Sequence, residues 1–254
     1  MTSALFEAIS NDSLGFKVRV ISATPQPQTV MYQAMHQDYS SEWVGSAEEQ
    51  NKLPTEEKAG EICVKKLLHS KVYHAGVFEH PQIVFSCGYI NHGTMQQFRT
   101  HRVGCSFDVQ SMRYTSQQFI DVIEGNKSVE EVIYLRPVGS YSDRNGKKYD
   151  YTESWRNADI VTAYRAVENY VADLNRGMTE EHARGKVPFD YRQHFVVSFN
   201  LRSFLHVANL RLKPDAQLEI VGLCELLYQK VKLWVPEIAL HYDKHDYKKA
   251  FIGY

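Results

Sequence analysis

Residues 96–114 read QQFRTHRVGCSFDVQSMRY. Arg99, His101, Arg102 and Arg113 stand here with Ser106, Ser111 and several amides, against the single carboxylate of Asp108. Arginine presents a planar fork of donors that matches phosphate oxygens and imide carbonyls. Such a density of guanidinium without matching acid calls for an anionic partner. Phe98, Val103, Phe107, Val109 and Met112 are interleaved with the cations, so the segment is expected to be partly buried, where an arginine needs a partner. Composition alone leaves a solvated basic face as the alternative, because surface charge is common.

A second run, Asn200–Arg211 (NLRSFLHVANLR), has helical spacing. At about 100° per residue, Asn200 and Arg211 share one face, while Arg202 and His206 share another. Leu201, Phe204, Leu205 and Ala208 fill the face between them. That pattern suits a subunit interface with a ligand on each flank; the alternative is an amphipathic helix with a wide polar side. Cys63, Cys87, Cys105 and Cys224 show no CxxC pairing, so neither a zinc site nor a disulfide framework is expected. Cys105 is the tempting nucleophile, but no His/Asp dyad accompanies it by spacing. Packing is the default for the other three.

These residues need elements to position them. Lys17–Ala23 and Ile83–Ile90 read as strands, as does Val132–Pro137. Ser46 with Glu49 has the form of a capping box, and Thr55 caps a helix over Glu56–Leu68. Gln26–Ser41 has no clear period, Gly93–Arg102 reads as helical, and Tyr114–Ile123 alternates loosely. Ser140–Asp150 reads as an exposed loop. Ser154–Leu174 is helical by period, and Thr179–Arg184 is a short helix. Tyr191–Leu212 and Pro214–Val235 read as two long helices broken at Lys213–Pro214. Strands early and helices late imply an α+β fold, with a mixed or antiparallel sheet in the N-terminal half and a mainly helical C-terminal half, in a single domain over 1–254. No GxGxxG follows a strand, which argues against a Rossmann site.

The bulk numbers narrow the partners. With 29 Lys+Arg against 30 Asp+Glu, the formal net charge is −1, unlike a protein that coats nucleic acid. The N-terminus lacks the pattern of a signal peptide, and no apolar stretch has membrane-spanning length. A soluble, cytoplasmic protein is expected.

The cationic segment resembles the signature of flavin-dependent thymidylate synthases: Arg-His-Arg, a spacer of seven or eight residues, then Ser. Here Thr100-His101-Arg102 is followed by eight residues and Ser111, with Arg113-Tyr114 beyond. A subgroup with Arg-Thr-His-Arg is similar to this form, and either Arg99 or Thr100 fills the first place. Val109 stands where the family has an acid, leaving Asp108 and Gln110 as replacements. His74–His80 (HAGVFEH) is similar to the family's HxTxFEH, with Gly76 in place of Thr. Glu181–Arg184 with Val187-Pro188 resembles ExARxxLP, and Asn200–Arg211 resembles NxRSxxxFxxLR. Outside the resemblance, His74 and His80 would read as structural histidines, and Arg184 as a helix-end cation.

The resemblance implies reductive methylation of dUMP to dTMP, with FAD as hydride carrier and 5,10-methylenetetrahydrofolate and NADPH as co-substrates. It implies active sites at the subunit interfaces of a homotetramer. Ser40, His74, Gly76, Arg99, Thr100, His101 and Arg102 would serve the flavin, joined by Asn200, Arg202 and His206 from a neighbouring subunit region. Gln96, Gln97, Phe98, Arg99, Gln110, Ser111, Met112, Arg113, Arg184 and Arg211 would face the nucleotide, and Arg211 would be catalytic. No metal is expected. Two rival readings remain at this level: another flavoenzyme acting on a phosphorylated substrate, and an RNA-binding module stacking bases on Phe98, Phe107 and Tyr114.

Overall fold

The computed structural model describes residues 3–69, 74–143 and 145–248. Five strands make an antiparallel sheet: β1 (Ile9–Asn11), β2 (Phe16–Ala23), β3 (Gln82–Asn91), β4 (Cys105–Val109) and, from much later in the chain, β7 (Arg192–Asn200). Their order is β1-β2-β3-β7-β4. A separate hairpin pairs β5 (Gly139–Ser142) with β6 (Lys148–Tyr151). The helices are α1 (Ser3–Phe6), α2 (Pro27–Gln37), α3 (Ala47–Asn51), α4 (Glu56–Cys63), α5 (His92–Phe98), α6 (Gln117–Ile123), α7 (Glu153–Asn175), α8 (Glu180–Ala183), α9 (Leu201–Arg211), α10 (Leu218–Trp234) and α11 (Pro236–His245).

Alternation decides which way the sheet faces. Phe16, Val18 and Val20 of β2, Ile83, Phe85 and Cys87 of β3, and Phe195, Val197 and Phe199 of β7 are all buried. They meet Phe204 and Leu205 of α9 and Leu223, Leu227 and Val231 of α10 in one core. Each such fully buried side chain contributes roughly 1.5–3 kcal/mol before entropy is counted. The in-between residues, among them Lys17, Arg19, His194, Ser106 and Asp108, lie on the opposite, exposed face. A second cluster forms beside the sheet, where Phe119 and Val122 of α6 pack on Val167, Tyr170 and Val171 of α7, with Met112, Val132, Ile133 and Ala183.

The caps fall where the side chains dictate. Ser46 accepts from the Glu49 amide, Thr55 from Lys58 and Thr152 from Trp155. The α+β class holds, with a sheet that is antiparallel throughout.

Several local expectations are corrected. Tyr191–Leu212 is not one helix. Gln193, Phe195, Val197 and Phe199 alternate into the core as β7, and the chain turns helical at Asn200. β7 also takes an interior place in the sheet, so the C-terminal half supplies a strand that joins β3 to β4. Lys213–Pro214 lies outside any helix, and α10 starts at Leu218. Val132–Pro137 forms only an isolated bridge, Ile133 to Tyr191. Gln26–Ser41 contains α2, and Tyr114–Ile123 contains α6. Ser140–Asp150 is largely the β5–β6 hairpin, with Tyr141 opposite Tyr149. Leu201, Phe204, Leu205 and Ala208 are buried in the chain's own core, so the apolar stripe of α9 is not a subunit interface. Among the described residues, no helix is long and apolar enough to cross a membrane.

Candidate active site

The segment Arg99–Tyr114 leaves α5, turns at Val103–Gly104, and runs through β4 along β7. Two cavities lie on it. The first, about 520 Å³, is lined by Thr100, His101 and Arg102 on one side and by Asn200, Arg202, Ser203 and His206 on the other, with Glu79 at its margin. The walls belong together because Gly104 packs on the start of α9. Its carbonyl accepts from the Asn200 amide at 3.1 Å. Gly104 has φ +65°, and a Cβ there would meet Ser203 Oγ at 2.1 Å and Asn200 Nδ2 at 2.4 Å. Asn200 caps α9 through Oδ1, which accepts from the Ser203 amide at 2.8 Å. Arg202 pairs with Glu79.

Arg211, at the far end of α9, lines neither cavity but bonds two residues of the first cavity's wall. Its Nε donates to His101 Nε2 at 3.0 Å, and Nη2 reaches Thr100 Oγ1 at 3.5 Å. A histidine nitrogen that accepts is unprotonated, so the geometry fixes the neutral ring with its proton on Nδ1. Burial, then the charges of Arg211 and His206, push the His101 pKa down to about 4. Burial also lowers the Arg211 pKa.

The second cavity, about 570 Å³, lies where the sheet meets the α6–α8 cluster. Gln96 and Arg99 come from α5 and its end, Gln110, Ser111 and Met112 from the end of β4, and Arg184 from the turn after α8. Gln110 extends the β4–β7 ladder by one step: its amide donates to the His194 carbonyl at 2.9 Å, and its Oε1 accepts from the His194 amide at 3.1 Å. Gln110 thus stands in the cavity wall, while Asp108 is exposed and outside it. Ser111 Oγ sits 3.4 Å from the Arg113 amide, which donates to it.

Some expected residues lie elsewhere. Phe98 is fully buried against Phe107 and Phe199 at ring distances of 5.7 Å, so its side chain faces neither cavity. Gln97 has a buried Oε1 and lines neither. Arg113 bonds Glu181 of α8 at 3.0 Å, which anchors the segment beside Arg184 rather than lining the cavity. Ser40 lies in a small recess with Tyr32, His36 and Glu49, and His74 in a groove with Tyr32, His36 and Lys66, both apart from the Thr100 cavity. Gly76 is exposed, with open space around its Cα. Asn200, Arg202 and His206 line the same cavity as Thr100–Arg102 within one chain, whereas a neighbouring subunit region was expected to supply them.

Sequence reasoning missed His92, Tyr191 and Gln193 of the second cavity. His92 stacks on Tyr191 at 4.7 Å and contacts Gln96 and Gln193 at 3.0 and 3.2 Å. The i,i+4 step from His92 to Gln96 on α5 was the available signal; Gln193 was hidden by the helical reading of β7. Ser203 and Val207 of the first cavity stand on α9 beside residues that were expected there.

The profile of the family described as "Thymidylate synthase complementing protein" matches residues 19–237. The chain belongs to this family. It is 32% identical over 240 residues to the flavin-dependent thymidylate synthase of Halobacterium salinarum, covering 89% of this chain and 95% of the relative. The enzyme of Haloarcula marismortui matches at 32% over 243 residues, with the same coverage. Similar solved structures include Helicobacter pylori ThyX with FAD and dUMP, at TM-score 0.60 and 20% identity over 88% of this chain and 98% of that one. A UMP/dUMP methylase, PolB from Streptomyces cacaoi bound with 5-Br UMP, has TM-score 0.67 at 18% identity over 91% and 95%. Both share the fold.

In a flavin-dependent thymidylate synthase the status of Cys105 matters, because the unrelated thymidylate synthases attack through cysteine. The Cys105 thiol donates to the His101 carbonyl at 2.9 Å, and burial raises its pKa. It lines neither cavity. A protonated, half-buried thiol so engaged is not an activated nucleophile.

Proposed function

We propose that this protein reductively methylates dUMP to dTMP, taking the carbon from 5,10-methylenetetrahydrofolate and the reducing equivalents from NADPH. FAD bound in the Thr100–His206 cavity supplies the hydride chemistry. The observation that carries the reading is the placement of two cation-bearing cavities on one segment, with Arg211 hydrogen-bonded to Thr100 and His101.

The donors fit the two ligands. In the first cavity Arg102, Arg202, Ser203 and His206 offer hydrogen bonds to a diphosphate and to flavin carbonyls, beside the apolar Val103 and Val207. In the second, Arg99 and Arg184 suit a nucleotide phosphate, and Gln96, Gln110 and Ser111 suit the sugar and base. Arg113 acts through Glu181, holding the Ser111 turn in place. Arg211 stabilises negative charge on the uracil ring once N3 ionises, raising the nucleophilicity of its carbon without a covalent enzyme adduct.

The whole chain acts as one domain within a cytoplasmic homotetramer. Ser40, His74 and Gly76, which lie away from the Thr100 cavity, then serve a neighbouring subunit's flavin. The open outer face of the sheet, with Ile21 half exposed, is available for a neighbour to cover.

The test is tritium release from ring-tritiated dUMP by flavin-loaded protein. Release that requires both methylenetetrahydrofolate and NADPH is expected. Flavin-loaded protein that reduces with NADPH but releases no tritium would sink the reading in favour of another flavoenzyme.

A further inference from the structure

Away from both cavities, three histidines converge. His241 and His245 stand one turn apart on α11, and His69 follows the π-helical turn Val64–Leu68 that continues α4. One ring nitrogen of each lies within 4.8 Å of the others. The ring centroids of His241 and His245 are 4.4 Å apart, and His69 sits 5.0 Å from His241 and 6.2 Å from His245. His69 and His245 are exposed and His241 is half-buried, so the cluster opens to solvent. The three rings touch one another, and His241 also lies within reach of the charges of Asp246 and Lys244.

The backbone explains the convergence. A pair at i,i+4 projects from the same helix face. The π turn, closed by the His69 amide donating to the Val64 carbonyl at 3.1 Å, sets the third ring opposite that face. Single π turns inside helices recur at functional sites because they re-aim a side chain. Neutral imidazoles suit zinc-class ions, whereas calcium and magnesium want oxygen. Metal–nitrogen bonds of about 2.0–2.1 Å place tetrahedral ligand atoms roughly 3.3 Å apart. The ligand atoms, now within 4.8 Å of one another, would have to close to about that tetrahedral spacing on binding.

We propose that His69, His241 and His245 form a three-histidine site for a divalent transition-metal ion of the zinc and cobalt class, with water completing the coordination. None of the three lines the Thr100 or the Arg184 cavity. The ion would act as a staple that ties α11 to the end of α4, and the inference does not depend on the reaction proposed above. The expectation that no metal binds rested on cysteine spacing, which does not register histidines so far apart in the chain.

Full-length protein stripped with chelator is titrated with Co²⁺, followed by visible absorption and thermal unfolding. The expected result is a d–d band that saturates near one equivalent, is abolished by Zn²⁺, and comes with a rise in melting temperature. At a metal concentration about 100-fold above Kd, that rise should be roughly 5–10 °C. The double variant His241→Ala/His245→Ala should lose the band and the rise. His69→Ala alone, a change at an exposed loop position, should weaken binding by at least about tenfold while its metal-free melting temperature stays at that of the wild type. His182→Ala, an exposed histidine on α8, should change neither. A wild-type protein without a saturable band, or a band and melting shift unchanged in the double variant, overturns the proposal.

Discussion

At the residue scale the centre of the site is the Arg211–His101 pair. Arg211 holds His101 neutral by donating to Nε2, and its own charge cannot be replaced by a shorter side chain. Arg211→Ala should therefore lower kcat by about 10²–10³, the usual cost of one electrostatic stabiliser, while flavin absorbance of the purified protein persists. Turnover within a few-fold of wild type would remove Arg211 from the mechanism. The same pair makes stability depend on pH. His101 has its folded pKa pushed down to about 4 by burial first, from an ordinary 6.5. Below 6.5 the unfolded chain takes up a proton there that the folded chain refuses until about 4. The stability is fully present above 6.5 and is lost as pH falls through that window. The melting temperature should thus decline from pH 7 to pH 4.5, and His101→Gln should flatten part of the decline; equal slopes would show that His101 is not held neutral. Cys105→Ala should keep activity near wild type, and a dead variant with intact flavin binding would reopen covalent catalysis. Much of this scale was legible in the sequence: Thr100, His101, Arg102, Gln110, Ser111 and Arg184 all reach a cavity wall. The directions of Phe98 and Arg113 were not legible, because motif position does not report side-chain direction. Phe98 turns into the aromatic core and Arg113 turns to Glu181.

At the element scale the site depends on how the β4 turn rests on α9. Gly104 combines a left-handed φ with a close approach to Asn200 and Ser203. Gly104→Ala should therefore destabilise the fold by about 1–3 kcal/mol and weaken flavin retention, read by urea unfolding and flavin absorbance on the same preparation. A variant as stable as wild type would mean that the turn has room to shift. Asn200→Ala removes the α9 cap, at about 1 kcal/mol. This junction also shows where sequence reading failed. The alternation of Gln193, Phe195, Val197 and Phe199 runs without Gly or Pro into the helical period of Leu201–Arg211. The apolar density merged the two, and the capping asparagine was the sole local marker. The helix α4 was legible because the Thr55 cap and the apolar period coincide there, and α7 was legible by its period alone.

At the scale of the molecule, the near-neutral chain gathers cations in two places: where the turn before β4 rests on α9, and where the sheet meets the α6–α8 cluster that carries Arg184. The α+β class was visible in the order of strands and helices. The insertion of β7 between β3 and β4 was not, because pairing partners far apart in the chain leave no local pattern.

The division of labour between the cavities is tested most directly by the dissociation constant of dUMP on flavin-loaded Arg184→Ala, measured with its flavin content. Losing a charge-assisted hydrogen bond worth about 1.5–3 kcal/mol should weaken dUMP roughly 10- to 100-fold while flavin stoichiometry stays at the wild-type level. Unchanged dUMP affinity together with lost flavin would contradict the assignment of the Arg184 cavity to the nucleotide.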